Sequence, residues 1–120
     1  MSLVRACTLA EVPSGEALAV DVEEYTLALT RDGDAVLAIQ DLCSHAAVAL
    51  SEGDVEAGPD GACEIECWLH GSRFDMRSGA PSGLPATSPV ATFRTEVRDE
   101  DGQQVVYVDV ATTLNGVRPD

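Results

Sequence analysis

Lysine is absent from this 120-residue chain, and seven arginines face 21 acidic residues, for a formal net charge of −14. Nucleic acid and anionic membranes both recruit positive charge, so neither is expected as a partner. A partner with a basic docking face suits the charge better, although charge of this size also serves solubility alone. No apolar run approaches the length of a membrane span, and no basic segment followed by an apolar stretch opens the chain. A cytoplasmic protein is therefore expected. Internal repeats, a dividing linker and any helical stripe longer than about two turns are also missing. One domain, built from strands, is what remains.

Histidine is the scarcest informative residue. The chain has two, His45 and His70, and each sits beside a cysteine, in Cys43-Ser44-His45 and Cys67-Trp68-Leu69-His70. The pairs are spaced C-x-H and C-x-x-H, with 21 residues between His45 and Cys67. Two thiolates and two imidazoles can bind a tetrahedral zinc ion. They can equally bind a [2Fe–2S] cluster on which two histidines replace two cysteines at one iron. In C-x-H the ligands are so close that a single ion forces a very tight chelate, whereas zinc sites space paired ligands by two to four residues. A binuclear cluster removes the difficulty, because each loop gives its Cys to one iron and its His to the other. Of the four cysteines, Cys7 and Cys63 are left over, and both read as small hydrophobes. Cys63 competes weakly with Cys67, which alone makes C-x-x-H with His70.

Alternation and turn residues place these motifs on an antiparallel framework. Strands are expected at Leu3–Cys7, Leu18–Val22, Tyr25–Thr30 and Ala35–Gln40, the middle pair half-buried, with an Asp-Gly hairpin signal in Arg31-Asp32-Gly33-Asp34. Residues 51–62 are rich in Gly, Asp and Glu and read as a loop with little order of its own. A short strand at Glu64–Glu66 then leads into Cys67. Prolines at 81, 85 and 89 make residues 79–89 a stiff loop. Two last strands, Ala91–Val97 and Gln104–Val110, flank an acidic turn at Asp99–Gly102, and the tail from Thr112 is expected to fray. The fold class is all-β. An antiparallel β-sandwich base, residues 1–41 and 89–112, carries an inserted metal-binding subdomain over about residues 42–88.

The two motifs, followed by Gly71-Ser72-Arg73-Phe74-Asp75 and the loop Gly79-Ala80-Pro81, resemble a Rieske ferredoxin. More narrowly, from Cys43 through Ser82-Gly83-Leu84-Pro85-Ala86-Thr87 the stretch resembles soluble actinobacterial-type ferredoxins that serve as electron-donating subunits of non-haem iron oxygenases. The likeness runs from Val4-Arg5-Ala6-Cys7 to the strand at Val105, with Ala57–Ala62 as an insertion between the motifs. The resemblance implies the Rieske fold and one [2Fe–2S] cluster per chain, with Cys43 and Cys67 on one iron and His45 and His70 on the other. It also implies positions around the ligands. Val48 and Leu69 stand where high-potential relatives carry cross-linking cysteines. Ser72 stands at the position of a serine whose hydroxyl reaches sulfur, and Phe74 at that of a tyrosine. Without the tyrosine hydroxyl a low-potential centre is expected, in the lower third of the Rieske range, roughly −150 to 0 mV. Pro81 and Pro85 are expected in a third loop over the cluster. Trp68 and Leu69 form an apolar rim or, for Trp68, pack inward, and the sequence favours neither.

A catalytic oxygenase also needs a mononuclear iron held by two histidines and a carboxylate, and both histidines are already spent. The expected role is thus a monomeric electron carrier between a flavin- and NAD(P)H-dependent ferredoxin reductase and a terminal oxygenase. The alternatives are a Rieske-like small subunit of a reductase such as nitrite reductase, a ferredoxin serving iron–sulfur assembly, and a structural zinc domain.

Overall fold

Local turn chemistry fixes the hairpins from which the larger sheet is built. A computed structural model describes residues 3–44, 48–58, 61–69, 71–82 and 86–119. Among them are nine strands: β1 (Leu3–Thr8), β2 (Leu18–Val22), β3 (Tyr25–Asp32), β4 (Ala35–Gln40), β5 (Val55–Ala57), β6 (Cys63–Glu66), β7 (Arg73–Asp75), β8 (Thr92–Glu100) and β9 (Gln103–Asp109). β8 and β9 close on Asp101-Gly102, both at positive φ (54° and 85°), as a two-residue type I′ turn requires. The expected four-residue turn at 99–102 shrinks accordingly, because Glu100 still pairs with Gln103. β3 and β4 close on Gly33-Asp34, with only Gly33 at positive φ (62°), so the glycine opens the turn instead of ending it.

The strands form a six-stranded antiparallel sheet in the order β1-β9-β8-β4-β3-β2 and a three-stranded one in the order β5-β6-β7. Between the β2-β3-β4 and β8-β9-β1 halves of the larger sheet lies one core. It contains Val22, Leu27, Leu29 and Ala38 from the first half and Cys7, Phe93, Val106 and Val108 from the second. The alternate side chains of β3 and β4, Ala28 and Ile39, enter a second core with Leu50, Val55, Ile65, Phe74 and Met76. The expectation that β3 is half-buried is therefore incorrect. Leu27, Ala28, Leu29 and Thr30 are all inaccessible, since the small sheet covers the face that water would otherwise wet.

Two other expectations are corrected. Residues 51–62 are not a featureless loop, because a 3₁₀ turn at Leu50–Glu52 and strand β5 form within them. Composition hid the strand: Val55 is its single buried residue, and the ladder to Cys63–Ile65 supplies the rest. The remainder, 58–62, is the β5–β6 hairpin loop, with Gly58 N–H on Ala62 O at 2.7 Å. Pro59 and Asp60 lie outside the described residues. The tail does not fray from Thr112, being held as far as Val117. Asn115 Nδ2 donates to Ser78 O (2.9 Å) and Val90 O (2.8 Å), while its Oδ1 accepts from Thr92 N and Val117 N (3.2 Å each). Gly79 makes room for this latch. It sits at φ +77°, and a Cβ there would lie 2.1 Å from Val90 O and 2.6 Å from Asn115 Nδ2. No helix among the described residues is long and apolar enough to cross a membrane.

One asparagine thus holds the turn after β7 and the entry to β8 together. Asn115→Ala leaves several backbone groups without partners, each worth about 1 kcal/mol. A thermal melt of the intact protein should show a loss of about 2 kcal/mol, with faster amide exchange at Thr92. An unchanged melt would remove the latch from the account.

Candidate metal centre

β4 and β6 each run out of a sheet into a short loop, and each loop begins with a cysteine. Cys43 and Cys67 are both buried and belong to the same packed cluster as Phe74, Met76 and Val90. The Cys43 loop is closed by its own backbone, with Cys43 N–H donating to Val48 O at 3.1 Å. The Cys67 loop is pinched more tightly: Cys67 N–H donates to Ser72 O at 2.6 Å, and Gly71 N–H to Cys67 O at 2.9 Å. Gly71 takes φ +75° with no neighbour near its missing Cβ, so the glycine is needed there for its conformation and not for space. His45, His70 and Pro85 lie outside the described residues.

A third segment ties the loops together. Ser44 Oγ donates to Ser88 O at 2.6 Å, and Ala86 N–H donates to Ser72 Oγ at 3.1 Å. Ser72 is fully buried, and among the described residues its own hydroxyl proton has no acceptor. Pro81 reaches the same region differently, through an isolated antiparallel bridge to Phe74. Phe74 is fully buried in β7 opposite Ile65, within the cluster that holds both cysteines. The structure resolves the alternative for the apolar pair: Trp68 is 51% and Leu69 42% exposed, so both form a rim at the tip of the Cys67 loop.

Cys63 is buried in the same cluster, at the end of β6 away from Cys67. Burial raises its thiol pKa, and the carboxylates of Asp32, Asp75 and Glu64 raise it further against the Arg77 guanidinium. Among the described residues no three His, Cys, Asp or Glu side chains are grouped so as to hold a metal, so Cys63 does not join Cys43 and Cys67 in such a group. Cys7 is likewise pushed up by burial, on the far side of the base. Asp41, two residues before Cys43, also has its pKa raised by burial, although its carboxylate accepts from Ser51 N at 2.6 Å and Ser51 Oγ at 2.8 Å. Beside the Cys67 loop, Arg73 lies 3.2 Å from Glu56, 3.5 Å from Glu66 and 3.9 Å from Glu64. One cation among three carboxylates leaves this flank negative.

Of the three buried thiols in this cluster, Cys43 and Cys67 lie in braced loops, the second beside the buried Ser72, and these two with a nearby hydroxyl suit an iron–sulfur group. Ser44 and Gln40 contribute to the bracing and were not singled out from the sequence. Ser44 lay in view inside C-x-H, whereas Gln40 carries no local signal, since the amide it accepts from is Ala91, 51 residues away.

Comparison with known proteins gives three concordant results. The Rieske [2Fe-2S] domain family matches residues 2–94. The 3-phenylpropionate/cinnamic acid dioxygenase ferredoxin subunit of Escherichia coli (strain K12) is 37% identical over 110 residues, 92% of this chain and 95% of that protein. Among solved structures, the ferredoxin of carbazole 1,9a-dioxygenase from Nocardioides aromaticivorans IC177 superposes with a TM-score of 0.72 at 40% identity, over 88% of this chain and 97% of that one. A chain from the complex of reduced oxygenase and oxidised ferredoxin in carbazole 1,9a-dioxygenase gives a TM-score of 0.70 at 34% identity, over 88% of this chain and 91% of that one.

The difference between rim and core residues is open to measurement. Trp68→Ser and Leu69→Ser should leave the melting free energy within about 0.5 kcal/mol of the parent, as exposed positions do. Phe74→Ala should cost about 3–5 kcal/mol by leaving a cavity beside the cysteines. A Trp68→Ser variant destabilised as much as Phe74→Ala would place the indole inside.

Proposed function

The chain belongs to the Rieske [2Fe-2S] domain family, and from that premise we propose that it is a monomeric, cytoplasmic electron carrier. It would take single electrons from a flavin- and NAD(P)H-dependent ferredoxin reductase and deliver them to a terminal non-haem iron oxygenase. The observation that carries this reading is the placement of the buried Cys43 and Cys67 in one braced cluster beneath an exposed Trp68–Leu69 rim. The relatives named above are ferredoxins of dioxygenase systems, and one of them was solved with its oxygenase. Residues of about 42–88 would act as the cluster-binding unit.

We assign the ligands as Cys43, Cys67, His45 and His70. When bound, a Rieske cluster supplies one-electron redox chemistry at a potential set by its surroundings. The chain's own residues then have separate tasks. The cysteine loops hold thiolate sulfur out of water. Ser72 offers a hydroxyl proton to sulfur, whereas Phe74 offers none, which keeps the potential low. Trp68 and Leu69 give a partner an apolar contact whose one side-chain polar group is the indole N–H. The acidic flank around Glu56, Glu64 and Glu66 favours a partner with a basic rim, and steers the encounter over about one Debye length.

Two experiments test the reading. Metal analysis of the purified protein should give about two irons per chain with acid-labile sulfide, and a midpoint of about −150 to 0 mV. Cys43→Ser and Cys67→Ser should lose the cluster, whereas Cys63→Ser and Cys7→Ser should keep it. A brown Cys67→Ser together with a colourless Cys63→Ser would mean that the wrong cysteine is assigned.

The second experiment follows single-electron transfer to a Rieske-type oxygenase by stopped flow. The bimolecular rate should fall several-fold as salt rises from about 20 to 500 mM. It should also fall in Trp68→Ala with iron content unchanged. A salt-independent rate would contradict docking through the acidic flank.

A further inference from the structure

Where β4 leaves the sheet, the backbone ladder has to end, and ending it inside the protein orphans polar groups. β4 and β8 pair at Ala38–Phe93 and Ile39–Thr92, and the last rung is Gln40 N–H to Ala91 O at 2.9 Å. Beyond it, Ala91 N–H and Leu42 C=O have lost their strand partners. The Gln40 side chain serves both. Its Oε1 accepts from Ala91 N at 2.9 Å, and its Nε2 donates to Leu42 O at 2.7 Å. Gln40 and Ala91 are both buried, so water cannot substitute. The amide has one workable orientation, since a flip would set donor against donor at Ala91 and acceptor against acceptor at Leu42.

The Leu42 carbonyl belongs to the same peptide unit as the Cys43 N–H, and a peptide unit is planar. That plane is gripped at both ends, by Gln40 Nε2 on its oxygen and by Val48 O, which accepts its N–H at 3.1 Å. Together these grips set the direction from which the chain enters Cys43. They also keep the Cys43 N–H engaged on Val48 O.

We propose that Gln40 is a positioning residue for electron transfer: it fixes the Leu42–Cys43 peptide, and through it the geometry and hydrogen-bond environment of the Cys43 thiolate. The inference rests on Cys43 being a ligand. Gln40 touches neither metal nor partner, and acts through Leu42 and Ala91 alone. A shorter side chain cannot span both groups, and glutamine keeps its acceptor and its donor at every pH, which suits it to the position.

The test compares three variants of the cluster-loaded protein. Gln40→Met removes both side-chain bonds at similar volume. Gln40→Glu keeps an acceptor for Ala91 and, measured at a pH where the carboxyl is ionised, sets oxygen against oxygen at Leu42, so that only this one bond is lost. Asn115→Ala breaks bonds to the same return strand without touching Leu42, and controls for general destabilisation. The readouts are the EPR spectrum of the reduced cluster, amide exchange at Cys43, and the rate at which visible absorbance is lost. Gln40→Met and Gln40→Glu should shift the EPR line positions, speed exchange at Cys43 at least tenfold, and shorten cluster lifetime several-fold. Asn115→Ala should melt earlier with the parent EPR spectrum. If Gln40→Glu, or a folded Gln40→Met, shows the parent EPR spectrum and parent exchange at Cys43, the proposal is overturned and Gln40 is a structural strut. Failure of the ligand assignment looks different, because Cys43→Ser would then stay brown.

Discussion

The rest of the structure depends on the burial of both faces of β3 and β4. Leu27, Leu29 and Ala38 face the core of the larger sheet, and Ala28 and Ile39 face the core that contains Cys43 and Cys67. These strands are a common wall between the two cores. The sequence near Leu27 reflects this: a residue as small as Ala28 lets the small sheet approach closely, whereas a polar residue there would lie without water or partner. Deep burial also explains the side-chain clamps. At Gln40, Asp41, Ser72 and Asn115 the backbone passes between cores, and every amide and carbonyl left behind by the ladders needs a partner.

Legibility in the sequence followed the range of the interaction. The cysteine–histidine spacing is local, and so were the hairpin residues, which gave the antiparallel class and most strands to within a residue or two. β5 was illegible because its stability comes from the ladder to β6, and its own composition is that of a loop. The tail misled for the same reason: Asn115 is an ordinary polar residue until Ser78 and Val90 are brought beside it. Trp68 could be read either way, since an indole suits a core and an interface equally, and only its 51% exposure separates the two. The two histidines proposed as ligands, His45 and His70, lie outside the described residues. For these two the argument rests on spacing and family membership.

The segment expected from the sequence as an insertion, Ala57–Ala62, falls at the β5–β6 hairpin. Residues 58–62 cap the β5–β6 hairpin at the end of β6 away from Cys67. Extra chain placed there lengthens a closed turn, at a modest entropic cost, and leaves the register of Ile65 against Phe74 intact. Charge is arranged with the same economy. Arg73 draws three glutamates onto one flank of the Cys67 loop, so part of the surplus negative charge lies where a partner would approach.

The two serine stitches have a kinetic meaning. Ser44 holds the first loop to Ser88, and Ser72 holds the second to Ala86, so three chain segments share one bonded frame. Electron transfer is slowed by whatever nuclear displacement must accompany the change of charge. A frame whose dipoles are already fixed by hydrogen bonds displaces little, much as preorganised dipoles in an enzyme need no rearrangement at the moment of reaction. Stitching the loops thus lowers the reorganisation energy, and the same bonds that secure the fold make the centre a fast relay.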